Sequence, residues 1–556
     1  MRRLLAVLLA VGLAAIPSWV AAQTINPIAT GRTGMVASAT PLATEIGLEI
    51  LRKGGNAVDA AVATAFALGV AEPAASGLGG GGFILIRLAN GQIGFIDYRE
   101  MAPKAAKPTM YLGPDGKVIP NSTTIGHLAV GVPGTLAGLN LALTRYGTMS
   151  LRQVLAPSIA LAERGYAVPR TMAGLIRDNI EKLNQFPAAK AVYTKDGLPY
   201  EVGDHIVLRD LARSYRLIAS GGPDVFYRGE IADAIAAEMR RGRGLITKDD
   251  LAAYQPKVRE PVRSTYRGYE IISSPPPSSG GTHVIEALNI LEGFNMAQLG
   301  FQTPQALHVL TEALKRSFAD RAKFMADPDF VKVPVAGLTA KAYAETLRKT
   351  IDLTRASASV APGDPAPYDK PANTSHISVV DRAGNIVALT QTINFFFASG
   401  VLVPGYGIML NDEMDDFVPT PGSANSIEPG KRPLSSMAPT LVLKDGKPFM
   451  TLGTPGATRI ISALPQIIMN VVDYKMDIQS AIEAPRIHAM TRDIFLESRI
   501  SEDVRTALRA LGHPLQVRGA MDLYFGGAQA ILIAPNGVLF GGADPRRDGF
   551  AKGLWD

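Results

Sequence analysis

The residues that most often carry nucleophilic and metal chemistry are scarce in this chain. Its 556 residues include no cysteine and seven histidines. A thiolate nucleophile, a zinc–thiolate site, an iron–sulfur cluster and a disulfide framework are therefore excluded. The histidines, at 127, 205, 283, 308, 376, 488 and 513, are scattered with no pair at ligand spacing. That pattern argues against a catalytic metal and for ordinary surface or core roles. Gly77, Gly79 and Gly82 spell a dinucleotide fingerprint, but that fingerprint needs a strand before it and a helix after it. Here a strand-like run, Phe83 to Leu88, comes after it. No phosphate-binding Gly-x-x-x-x-Gly-Lys loop is present, and glycosylation patterns at Asn121 and Asn373 are too short to carry weight.

Hydroxyls and carboxylates remain. Thr374 to Asp381 reads as a strand, Arg382 to Asn385 as a turn and Ile386 to Asn394 as the returning strand. Alternation puts Thr390, Thr392 and Asn394 on one face of that hairpin. Taken alone, such a row is a solvated sheet face. By the same standard Asp412-Glu413-Met414-Asp415-Asp416 reads as a solvated turn or a calcium loop, and Ser435-Ser436 as a plain loop.

The elements around these residues are legible. Thr40 can cap a helix that Gly54-Gly55 stops, and Asn56 opens an alanine-rich second helix packed closely against the first. Phe83 to Leu88, Asn90-Gly91 and Ile93 to Arg99 form strand, turn and strand, a strong hairpin signal. Residues 130 to 350 read as mainly helical, interrupted at Ser273 to Gly281, and strands return from 374. Residues 355 to 373 are rich in Ala, Pro, Asp and Ser without periodicity, which marks a linker.

Hydrophobic residues make up 47% of the chain, which excludes disorder, and the length suggests three or four domains at about 150 residues each. Arg2-Arg3, an apolar run from Leu4 to Ile16 and Val20-Ala21-Ala22 form an export signal, residues 1–22, too short to span a bilayer. Two of the six net positive charges lie in that signal, and no Lys/Arg stripe with interleaved aromatics follows, so a nucleic-acid partner is not expected.

The stretch Asn373-Thr374-Ser375-His376-Ile377-Ser378-Val379-Val380-Asp381 resembles the processing site of the γ-glutamyltranspeptidase (glutathione hydrolase) family of N-terminal nucleophile hydrolases. Other blocks agree in order: Gly54 to Ala61, the glycine-rich loop through Asp97-Tyr98-Arg99-Glu100-Met101-Ala102-Pro103, Leu410 to Phe417, Arg432 to Met437, Gly453 to Ala457 and Asp544-Pro545-Arg546. The likeness covers nearly all of residues 30 to 550.

The resemblance implies a precursor cut between Asn373 and Thr374 into a large subunit, 23–373, and a small catalytic one, 374–556, with residues 355–373 a mobile linker before the cut. Together they would form an α+β fold, a four-layer αββα sandwich. Thr374 would be the nucleophile and its freed amine the base, and Thr392 would hydrogen-bond the nucleophile. Arg99, Ser435 and Ser436 would hold the α-carboxylate of a γ-glutamyl group, while Asn394, Glu413 and Asp416 accept its ammonium. The backbone amides of Gly456 and Ala457 would form the oxyanion hole, although relatives commonly carry glycine at the second position. A stretch from Val418 to Gly430 shorter than the lid loop of several bacterial members would leave the pocket open. Phe395-Phe396-Phe397 would build an apolar wall on the acceptor side. The implied activity is periplasmic or secreted γ-glutamyl hydrolysis and transfer from glutathione, without cofactor, metal or membrane span. The alternatives are a cephalosporin or glutaryl acylase of the same family and a non-catalytic γ-glutamyl-peptide binding protein. Arg99, Glu413 and Asp416 argue for glutamyl over glutaryl, which has no ammonium.

Overall fold

The computed structural model describes residues 24–361, 373–490 and 492–556. The expected export signal and most of the expected linker lie outside these residues. Two antiparallel seven-stranded sheets organise the rest. In spatial order one sheet runs Ala29–Gly31, Leu539–Ala543, Gln529–Ile533, Lys447–Gly453, Thr440–Lys444, Tyr269–Ser273 and Val262–Tyr266. The other runs Phe550–Leu554, Gly34–Ser38, Asn373–Asp381, Ile386–Asn394, Gly81–Arg87, Ile93–Asp97 and Lys257–Val258. Each sheet mixes strands from before and after residue 373.

The sheets touch where Asn373–Asp381 meets Lys447–Gly453 and Gln529–Ile533. His376 lies in that seam, its Nδ1 2.8 Å from Thr390 Oγ1 and its Nε2 3.1 Å from Ser378 Oγ. Burial pushes its ring down to about 3, so it stays neutral and serves the core.

The two expected helices form as Pro41–Arg52 and Ala57–Ala71. Thr40 Oγ1 accepts from the Ala43 amide at 3.2 Å, and Asn56 with Asp59 closes a capping box on the second. Every residue of Ala57–Ala71 is buried, because its alanines let it pack closely against both Pro41–Arg52 and the strands Asn373–Asp381 and Ile386–Asn394. Helices Gly280–Leu291, Arg459–Val472 and Ile478–Glu483 pack against the first sheet.

The region from 130 to 350 is less uniformly helical than its sequence suggests. Val262–Tyr266 and Tyr269–Ser273 form a hairpin at the edge of the first sheet. Each strand has five residues, too few for period-two alternation to stand out among helical neighbours.

Candidate active site

The glycine run beside Phe83 explains how the central hairpin is brought to the site. An added Cβ at Gly80 would lie 1.9 Å from the Thr392 carbonyl oxygen, and one at Gly79 would lie 1.9 Å from the Met409 carbonyl oxygen. The glycines admit the Thr392 backbone on one side and the chain leading to Asn411 on the other. This steric role replaces the nucleotide reading of the motif.

On the hairpin, Thr374 stands opposite Thr392, but Asn373 stands opposite Asn394. The register therefore slips by one residue between Asn373 and Thr374, leaving Ile393 as the extra residue of a bulge. Asn394 adopts φ +75°, a left-handed conformation that asparagine tolerates better than most residues. Its amide donates to Thr392 Oγ1 at 2.8 Å, and its Nδ2 donates to the Asp412 carbonyl at 3.1 Å. The bulge thus falls at the Asn373–Thr374 bond and turns Thr374, Thr392 and Asn394 toward one cavity of about 540 Å³.

Arg99, Glu413, Asp416, Ser435, Ser436 and Ala457 line the same cavity. Glu413 to Asp416 form a short 3₁₀ turn with Glu413 buried, in place of a solvated turn. The guanidinium of Arg99 donates to Glu413 through Nη1 and to Asp416 through Nη2. Its Nε reaches the Pro433 carbonyl at 3.2 Å, and Nη2 reaches the Leu434 carbonyl at 3.1 Å. The cation and carboxylates expected at opposite ends of a substrate head group are therefore paired with one another.

Burial alone would lower the Arg99 pKa, but Glu413, Asp416 and Glu100 outweigh it and hold the guanidinium charged. Burial raises Glu413, Asp416 and Asp412, with Arg99 opposing for the first two and Lys182 for the third. Glu100 is pushed up to about 7 by burial, against the pull of Arg99. Among the described residues, Oε2 of Glu413 and Oδ2 of Asp412 are buried acceptors without a hydrogen-bond partner.

At the proposed oxyanion site Gly456 has φ +132° and Ala457 φ +50°. The first is a glycine conformation; the second lies in the left-handed region open to alanine at modest cost. The Val418–Gly430 stretch, expected to leave the pocket open, lies against the cavity. Val418, Pro419, Thr420, Ser423 and Asn425 line the cavity. The Val418 amide donates to the Asn425 carbonyl at 3.0 Å, and Asn425 Nδ2 donates to the Asp416 carbonyl at 2.7 Å. Phe395 reaches the cavity, whereas Phe397 is buried against Tyr193.

Three participants escaped the sequence reading. Arg547 donates from Nη1 to the Thr374 carbonyl at 2.9 Å, one residue past the Asp544-Pro545-Arg546 block. Glu72 accepts from Ser375 Oγ, next to Thr374. Arg321 donates from Nη2 to Ser436 Oγ at 3.1 Å. Away from the cavity, folding brings His308 Nδ1 to 2.7 Å from His513 Nε2 beside Glu312, a cluster that sequence spacing hides. Lys315 and Arg316 already pair with Glu312 there.

A family model described as Gamma-glutamyltranspeptidase matches residues 43–554. The glutathione hydrolase proenzyme of Escherichia coli K12 is 45% identical over 530 residues, covering 93% of this chain and 90% of that protein. The acylase ACY 1 proenzyme of Pseudomonas sp. SE83 is 45% identical over 530 residues, covering 94% and 93%. Among solved structures, the cephalosporin acylase of Bacillus halodurans superposes with TM-score 0.88 at 31% identity, covering 97% of this chain and 99% of that one. With a family match across nearly its whole length and a site assembled from the family's blocks, this chain is an enzyme of the γ-glutamyltranspeptidase family.

Proposed function

We propose that the chain is an exported, self-processing γ-glutamyl hydrolase and transferase acting on glutathione and related amides. The observation that carries this reading is the shared cavity, in which Thr374 and Thr392 face a guanidinium flanked by two carboxylates. A γ-glutamyl head group carries both an α-carboxylate and an α-ammonium, so it can divide that internal ion pair between its own two charges.

Cleavage between Asn373 and Thr374 gives subunits 23–373 and 374–556, and the two complete a four-layer αββα sandwich. The freed α-amine, with an ordinary pKa of about 7.7–8.0, is a base near neutral pH. It takes the Thr374 hydroxyl proton as Oγ attacks the γ-carbonyl carbon. The amides of Gly456 and Ala457 stabilise the oxyanion, and Thr392 orients the nucleophile. Collapse breaks the amide bond, and the ammonium of Thr374 returns its proton to the leaving amine. Water or an amino-acid amine, deprotonated by the Thr374 amine, then attacks the γ-glutamyl–threonine ester; collapse breaks the ester C–O bond, and the ammonium returns the proton to the departing Thr374 Oγ. Arg99, Ser435 and Ser436 hold the α-carboxylate, while Asn394, Glu413 and Asp416 hold the ammonium.

Relatives named as acylases keep a second reading in play: a glutaryl or cephalosporin acyl donor at the same threonine. The carboxylates of Glu413 and Asp416 would then face an acyl group with no ammonium to satisfy them, which favours the first reading. Denaturing electrophoresis with mass analysis of wild type and Thr374→Ala tests the chemistry. Two pieces, beginning near Gln23 and at Thr374, are expected from wild type and one chain from the variant. A wild type that stays whole yet hydrolyses γ-glutamyl anilide would remove the amine base and the mechanism with it.

A further inference from the structure

A carboxylate entering the cavity meets two hydroxyls whose direction is already set from behind. Ser435 Oγ accepts from the Met437 amide at 3.1 Å, and Ser436 Oγ accepts from Arg321 Nη2 at 3.1 Å. A serine hydroxyl has a single proton to donate, and neither a backbone N–H nor a guanidinium can accept it. Each hydroxyl must therefore direct its proton elsewhere, and both serines border the cavity.

Arg321 governs more of this arrangement than one bond. It sits near the end of the helix Pro304–Phe324 and itself borders the cavity. Its Nε donates to Ser279 Oγ at 2.8 Å, and that hydroxyl donates to the Ser435 carbonyl at 2.7 Å. The Ser279 amide reaches the same carbonyl at 2.8 Å. One planar guanidinium thus touches Ser436 directly and braces Ser435 through Ser279, a geometry the point charge of lysine cannot reproduce. Its charge also acts on Asp416, whose carboxyl is raised by burial and drawn down by Arg99 and Arg321. Arg99, meanwhile, already has both terminal nitrogens on Glu413 and Asp416. An incoming α-carboxylate must compete for Arg99, whereas the serine protons are held ready for it.

We infer that Arg321 is a positioning residue for the α-carboxylate of the acyl donor. It fixes Ser436 as a donor into the cavity, braces Ser435 through Ser279, and so sets the preference for donors that carry this carboxylate. The inference rests on the γ-glutamyl reading and deepens it.

Three anilides test it: γ-glutamyl, 4-aminobutyryl, which lacks the α-carboxylate, and glutaryl, which keeps the carboxylate and lacks the ammonium. Wild type, Arg321→Met, Arg321→Lys, Ser436→Ala and the Arg321→Met/Ser436→Ala double variant are compared. Arg321→Met is expected to raise KM for γ-glutamyl and glutaryl anilides about tenfold or more, with kcat and the 4-aminobutyryl reaction changed by no more than about twofold. Arg321→Lys should recover part of the loss, and Arg321→Met should add little in the Ser436→Ala background. Equal losses on all three anilides, or losses that multiply in the double variant, overturn the inference. Should Arg321→Met remain uncut, Arg321→Lys and Ser279→Ala carry the comparison: both must narrow the γ-glutamyl over 4-aminobutyryl preference, and an unchanged preference overturns it. A wild type that turns over glutaryl but not γ-glutamyl anilide sinks the glutamyl reading alone, because Arg321 is then still tested on the glutaryl carboxylate.

Discussion

Ala457 stands at φ +50°, where a Cβ is tolerated but glycine is at ease. The proposed oxyanion donor is its backbone amide, which either residue supplies. Ala457→Gly should therefore shift stability by no more than about 1 kcal/mol and kcat/KM by less than about threefold, measured by thermal melting and anilide kinetics. Glu100 gives a prediction of opposite character. Burial raises its carboxyl from 4.5 to about 7, so between those pH values the folded chain holds a proton that the unfolded chain has released. Its contribution to stability therefore falls as pH rises through that window. Urea midpoints at pH 5 and pH 7.5 should lie closer together in Glu100→Gln than in wild type. At this scale the sequence was informative wherever a residue belonged to a contiguous block, as Arg99, Glu413 and Ser435 do. Arg321 and Arg547 were not legible, because their partners Ser436 and Thr374 lie 115 and 173 residues away.

Among the elements, the hairpin of Asn373–Asp381 and Ile386–Asn394 was readable from alternation and its turn residues. The bulge was not, because register is set by what packs on both sides of a strand rather than by the strand's own pattern. Gly80 is one of those outside constraints. A methyl group there would collide with the Thr392 carbonyl, and Gly80→Ala is expected to cost about 3 kcal/mol and to leave uncut precursor on a denaturing gel. Wild-type stability and normal cutting in that variant would mean that the close approach does not set the hairpin. The short edge strands Val262–Tyr266 and Tyr269–Ser273 show the complementary limit. Their place in the fold comes from Tyr269–Ser273 pairing with Thr440–Lys444, some 170 residues later, and no local signal announces it.

Across the molecule, length arithmetic suggested three or four domains, whereas two sheets run through the entire described chain. Tyr269–Ser273 pairs with Thr440–Lys444, and Gly34–Ser38 and Gly81–Arg87 flank the hairpin that begins at Asn373. The proposed cut should therefore leave one particle in size-exclusion chromatography, which separates into two pieces only when urea unfolds it. The same interleaving fixes an order of events. A piece made alone would expose the long edges of strands whose partners lie on the other piece, an invitation to aggregation rather than assembly. Separately expressed halves should consequently fail to reconstitute the enzyme on mixing. Chain continuity is then a single-use template: it threads the strands past one another once, and the catalyst appears only after that thread is no longer needed.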